Sequence, residues 1–211
     1  MIKAIIFDLD GVIVSTDNLH YLAWKQMADD ENIYFDERIN NRLRGVSRRE
    51  SLDIILEKAN KTYTAEEKKA LTDKKNETYV QLLQSLTPKD ILPHVVEVLD
   101  ILKKRNLPIA IGSSSKNTKI ILKQIGLTTR FNAIADGNDI TRSKPHPDVF
   151  LVAASKLNIE PEYCAVVEDA VAGIQAAKNA NMFGIGIGIA TTSALCDAKI
   201  KDVIEIVENI I

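Results

Sequence analysis

Five short apolar runs recur along this chain with helix-length stretches between most of them, and no other feature limits its fold as strongly. They cover residues 2–7, 107–112, 132–135, 163–167 and 182–187. Helical spacing of apolar residues marks 94–105, 116–125, 147–157 and 170–179. The runs are continuously apolar, as strands are when helices cover both faces of their sheet. Buried strands alternating with helices predict an α/β fold built on a doubly wound parallel sheet.

One region breaks the alternation. "NLHYLAWKQMADDEN" (18–32) spaces Leu19, Leu22, Ala23 and Met27 as a helix does. "SRRESLDIILEKAN" opens on Ser47 with Glu50 three residues on, and "TAEEKKALTDKKNETYVQLLQ" repeats this with Thr64 and Glu67. Both are capping-box patterns, in which a hydroxyl and a carboxylate satisfy each other's backbone N–H groups. No strand candidate falls between 18 and 86, so this block reads as an all-helical insertion after the first strand. The expected division is a core of residues 1–14 and 88–211 and an insertion of residues 15–87.

The bulk chemistry narrows the class of partner. A net charge of −2 over 211 residues gives no basic surface for nucleic acid. No apolar run reaches membrane-spanning length, and "MIKAIIFD" has no signal-peptide pattern. Cys164 and Cys196 are too few for a disulfide framework, and Cys164 in "YCAVVE" reads as a buried, inert thiol. A reducing cytoplasm suits this usage. With no unpaired apolar surface legible, a monomer acting on a small molecule is expected. Lys103, Lys104 and Arg105 fall at a helix C-terminus, where the macrodipole favours cations. "GIGIGIA" (184–190) lacks the spacing of a dinucleotide loop and reads as a strand entering a loop. His94 reads as surface and His146 as a loop residue.

Ligands of an open parallel sheet collect beyond the carboxyl ends of its strands. This chain places polar residues at four such ends. The first strand runs into Asp8 and Asp10, the second into "SSSKN" (113–117), the third is followed by Lys144, and the fourth ends in Glu168 and Asp169. Singly each has an ordinary explanation: Asp169 as a helix cap, the serines as a turn, Lys144 as a surface lysine. Together they suit phosphoryl transfer. Clustered carboxylates call for a hard cation such as Mg²⁺. Hydroxyls and N–H groups at a helix start suit phosphate. A lysine offsets charge between a carboxylate nucleophile and a phosphoryl group, and a second acid can move a proton.

"FDLDGV", "GSSSK", "SKPHPDVF" and "VVEDAVAGIQAAKNA", in that order, resemble the four signatures of the haloacid dehalogenase superfamily. The resemblance implies Asp8 as nucleophile and metal ligand. It implies Asp10 as general acid and base, lending its backbone carbonyl to the metal, with Glu168 and Asp169 on the metal side. Ser113 and Lys144 would hold the transferring phosphoryl group, and the insertion would be a helical cap.

A narrower resemblance spans nearly the whole chain. "TDNLHYLAWK", "RGVSRRESL", "KKNETYV" and "SSSKN" are similar to stretches of the branch that interconverts β-D-glucose 1-phosphate and D-glucose 6-phosphate. That branch needs a second phosphate site, which the resemblance assigns to Gly45, Val46, Ser47 and Arg48, with Ser115, Lys116 and Asn117. It assigns coupling of the cap to Asp10 to Thr16, His20, Trp24 and Lys75. It also implies glucose 1,6-bisphosphate as intermediate and activator, with cap movement about Ser15 and Thr87. Two departures stand out: Ser15 replaces an acid common in that branch, and the C-terminus is short. A sugar-phosphate phosphatase, a mutase for another β-sugar phosphate and a noncatalytic binding protein are the alternatives.

Overall fold

A computed structural model describes residues 1–43 and 46–211. The chain divides into two compact units, Met1–Ser15 with Thr87–Ile211, and Thr16–Leu86.

The first unit is built on six parallel strands, β1 (Ala4–Phe7), β2 (Ile109–Gly112), β3 (Ala133–Ala135), β4 (Cys164–Glu168), β5 (Phe183–Gly186) and β6 (Ala198–Lys199). Their spatial order is β3-β2-β1-β4-β5-β6. β1 is central, with Ile5 level with Ile109 on one side and Ala165 on the other. The order reverses beside β1, so the crevice where ligands collect opens where the chain places Asp8.

Five helices accompany these strands: α5 (Val95–Lys104), α6 (Thr118–Gln124), α7 (Asp148–Leu157), α8 (Val171–Asn179) and α9 (Glu205–Asn209). Ala4, Ile6, Ala110 and Val166 pack with Val149, Phe150, Ala153 and Ala176. Phe7 instead lies with Val95, Val98 and Leu99 of α5. β1 is thus buried on both sides, which explains its unbroken apolar run. Each large side chain so buried stabilises the fold by about 1.5–3 kcal/mol.

The four helices predicted in this unit begin one or two residues later than their spacing predicts, and at two of them the cause is visible. His94 takes a left-handed conformation (φ 58°), so α5 starts at Val95. The hydroxyls of Ser113 and Ser115 accept from the N–H groups of Ser115 and Asn117, making turns where a helix from 116 is expected. At the C-terminus the Arg105 guanidinium donates to the carbonyls of Ile211 (2.8 Å) and Val207 (3.3 Å). A cation expected only at a helix end therefore also ties down the last helix.

The second unit holds four helices, α1 (Asp17–Asp30), α2 (Glu37–Asn41), α3 (Arg48–Leu56) and α4 (Ala65–Leu83), and no strand among the described residues. Both capping boxes form: Ser47 with Glu50 and Thr64 with Glu67. Trp24, Met27, Leu52, Ile55 and Leu71 share one apolar core. α2 is too short to show a period in the sequence; Asp36 starts it by accepting from the Ile39 N–H at 2.9 Å. No helix among the described residues is long and apolar enough to cross a membrane.

Candidate active site

Three strand ends converge in the first unit. Lys144 places its ammonium 2.5 Å from Asp8 Oδ1 and 2.8 Å from Glu168 Oε2. The Phe150 ring lies 4.8 Å from the same ammonium. Oxygens of Asp8, Glu168 and Asp169 all lie within 4.8 Å of one another. Asp8 and Glu168 are buried, so water serves neither of these two carboxylates well, while Asp169 is half-buried.

Two glycines make room for this crowding. Gly11 has φ +74°, and a Cβ there would sit 2.2 Å from Asp169 Oδ2. At Gly173, in the first turn of α8, a Cβ would lie 1.9 Å from Glu168 Cδ. The Glu168 carboxylate therefore rests against bare helix backbone and accepts from the Ala170 N–H at 3.2 Å. Gly173→Ala is expected to displace that carboxylate and cost about 1–3 kcal/mol of stability, with weaker divalent-cation binding. Thermal unfolding and metal titration of the variant check both effects.

Negative charge is crowded at these strand ends. Burial pushes the Glu168 carboxyl up to about 8; the Asp8 and Asp169 charges add to that, and Lys144 only partly opposes it. Burial alone would lower the Lys144 ammonium, but Asp8 and Glu168 more than offset this and hold it above the usual lysine range. One ammonium is shared by Asp8 and Glu168, and Asp169 lies close by. A hard divalent cation, which prefers oxygen ligands, fits this donor set.

Asp10 is partly exposed in the turn after β1 and bridges to Val14. Ser113 is 4% exposed at the end of β2; its oxygen accepts from Ser115 N–H, leaving its O–H to donate. Ser115 does the same toward Asn117. Asn117 is buried and Lys116 exposed. The Asn138 carboxamide donates to the Lys116 carbonyl at 3.0 Å, bracing the loop from the end of β3.

The second unit gathers another cluster between α1 and α4. Lys75 Nζ lies 2.8 Å from His20 Nδ1. An ammonium can only donate, so Nδ1 accepts and the ring proton resides on Nε2. Burial first, then the Lys75 and Arg48 charges, hold His20 well below its ordinary range and keep it neutral. Trp24 is 3% exposed, and its ring lies 4.8 Å from the Lys75 ammonium. Thr16, fully buried, meets the Tyr79 hydroxyl at 2.8 Å. Arg48 donates to Asn76 Oδ1 at 2.8 Å, whereas Arg49 is exposed. Val46 is exposed and Ser47 caps α3; Gly45 lies outside the described residues.

Sequence reasoning passed over Asn76 and Tyr79. Both stand in the quoted "KKNETYV", and the four-residue step from Lys75 to Tyr79 puts them on one helix face. That step was the available signal. Neither glycine contact could be seen without the fold.

Residues 2–181 match the family of haloacid dehalogenase-like hydrolases. A β-phosphoglucomutase of Bacillus subtilis is 46% identical over 188 residues, 88% of this chain and 83% of that protein. A crystal structure of a β-phosphoglucomutase from Clostridium difficile superposes with a TM-score of 0.88 at 40% identity, covering 96% of this chain and 92% of that one. A phosphorylated carbohydrates phosphatase of Thermotoga maritima is 28% identical over 93% of this chain and 91% of its own length.

Proposed function

The chain belongs to the haloacid dehalogenase-like hydrolases, and from that membership we propose that it works as a β-phosphoglucomutase, interconverting β-D-glucose 1-phosphate and D-glucose 6-phosphate. The observation that carries this over a phosphatase is its greater identity to the Bacillus mutase than to the Thermotoga phosphatase. Arg48, a guanidinium outside the acidic cluster with one amino group fixed by Asn76, adds support.

The roles are those that the family resemblance implies for these residues. Asp8 carries the phosphoryl group as an aspartyl-phosphate. Asp10 takes the proton from the sugar 6-hydroxyl as that oxygen attacks phosphorus, and the Asp8–phosphorus bond breaks. The product is glucose 1,6-bisphosphate. After the bisphosphate exchanges its ends, Asp8 attacks the 1-phosphoryl group, and Asp10 returns its proton to the leaving 1-oxygen. Glucose 6-phosphate departs and the aspartyl-phosphate is restored. Free bisphosphate therefore also serves as activator.

Lys144 and the Ser113 hydroxyl hold the transferring group, in the manner of a preorganised anion site. Arg48 holds the other phosphate as a planar, bidentate cation, with Ser115, Lys116 and Asn117. Asp8, the Asp10 carbonyl, Glu168 and Asp169 would hold Mg²⁺, which would offset the charge on the phosphoryl oxygens. His20, held neutral with Nε2–H outward from Lys75, acts with Thr16, Trp24 and Lys75 to orient the substrate and Asp10. Such an enzyme would work as a single chain in the cytoplasm.

Mg²⁺ binding is expected to displace a proton from Glu168 below pH 8. The affinity should then climb with pH, up to about tenfold per unit, and level off above about 8. Calorimetry in buffers of different ionisation enthalpy measures the released proton; zero release at pH 7 would contradict this. The activity itself is tested with Mg²⁺, β-glucose 1-phosphate and a trace of glucose 1,6-bisphosphate. Rapid glucose 6-phosphate with little free phosphate is the expected result. Phosphate without glucose 6-phosphate would make the protein a phosphatase.

A further inference from the structure

Tyr79 occupies a position that the roles above leave unused. Its side chain is 1% exposed, at the face of α4 that meets α1. Its ring stacks on the His20 imidazole, with centroids 4.0 Å apart and planes 22° from parallel. The Lys75 ammonium lies 4.6 Å from the same ring. Its hydroxyl meets Thr16 Oγ1 at 2.8 Å. One buried aromatic ring thus touches three of the four residues read as coupling this unit to the chemistry.

We propose that Tyr79 is a positioning residue for the phosphoryl transfer: its ring fixes the plane of His20 and the site of the Lys75 ammonium, and its hydroxyl fixes Thr16.

A histidine needs two constraints to present one nitrogen in one direction. The Lys75 hydrogen bond supplies the first, since it selects the tautomer. It leaves the ring free to swing about that bond. A stacked neighbour 4.0 Å away removes that freedom. The cation over two rings, Trp24 and Tyr79, keeps a buried ammonium where it can serve Nδ1. A phenylalanine ring would do both; an aliphatic side chain would do neither. Among the side chains that fill this space, tyrosine alone combines the flat ring with an O–H that reaches Thr16.

The inference rests on the reading of His20, Lys75 and Thr16 as serving the reaction, so the experiment measures both. Tyr79→Leu, Tyr79→Phe and His20→Gln are assayed for mutase kcat and KM. ¹⁵N NMR reads the His20 tautomer in the tyrosine variants and the native protein. Tyr79→Leu is expected to lower kcat about 10–100-fold with KM changed less than about threefold, and to replace one His20 tautomer by an averaged pair. Tyr79→Phe is expected to keep the tautomer and lose only a few-fold in kcat. Native kcat in Tyr79→Leu, or a loss with the native tautomer intact, overturns the proposal while His20→Gln remains slow. Native kcat in His20→Gln overturns the proposal and the reading beneath it. If Tyr79→Leu does not fold, the Tyr79→Phe and Thr16→Val cycle decides. Coupled losses in kcat support the positioning role, and additive losses overturn it.

Discussion

Asp8→Asn is expected to lower mutase turnover by at least about 10⁴-fold and to leave the protein folded. An amide oxygen cannot form the acyl-phosphate on which both half-reactions depend, so no partial route survives. The structure explains why folding should tolerate the change. In the native protein Lys144 faces two buried acids, Asp8 and Glu168, with Asp169 close by. Replacing Asp8 by its near-isosteric amide leaves one buried carboxylate against one ammonium, a better-balanced pair. The sign with pH follows. Glu168 titrates near 8 in the folded chain against an ordinary value of 4.5. The folded state then holds the extra proton, so metal-free stability falls as pH rises from about 4.5 to 8. Losing the Asp8 charge removes a main cause of that rise, and the variant should show a shallower decline. Thermal unfolding at pH 5 and pH 8 without metal measures it, alongside the coupled assay. A steep decline retained in Asp8→Asn would contradict the charge-crowding account.

Arg48→Ala has the next largest expected effect, about 10²–10³-fold on the mutase reaction. The decisive quantity is a ratio. Phosphorylation of Asp8 by a small donor such as acetyl phosphate needs no second phosphate site, so its rate should stay within about threefold of native. Turnover of β-glucose 1-phosphate needs the bisphosphate held at both ends. Equal losses in the two reactions would show that Arg48 is not a distal clamp. Asn76→Ala should give the same pattern more weakly, because it removes one hydrogen bond from the guanidinium and leaves the guanidinium itself in place.

The legibility of this protein varies with the range of the interaction involved. Short-range patterns read well. Unbroken apolar runs identify strands such as β1 and β4 because burial on both faces leaves no polar position in them. The Ser47–Glu50 and Thr64–Glu67 pairs mark helix starts because a capping box is closed within four residues. Asp8, Lys144, Glu168 and Asp169 could be grouped because a parallel sheet sends its strand ends to one edge. α2 did not read, since five residues held by one Asp36 cap carry no period. The late starts of α5 and α6 did not read either, because His94 and the two serine turns act through backbone geometry.

Local periodicity encodes five of the six strands and the helical insertion, and strand ends carry the acids and the lysine proposed for phosphoryl chemistry, whereas the two-residue β6 is too short to leave a pattern. How closely the charges crowd is set by packing in three dimensions. Lys144 against Asp8, Gly11 against Asp169 and the Tyr79 ring against His20 each join residues more than 50 positions apart, and Gly173, only five positions from Glu168, meets its carboxylate because the chain turns from β4 into α8. Charge crowding, steric room and ring stacking depend on distances of a few ångströms in three dimensions. No spacing along the chain states those distances.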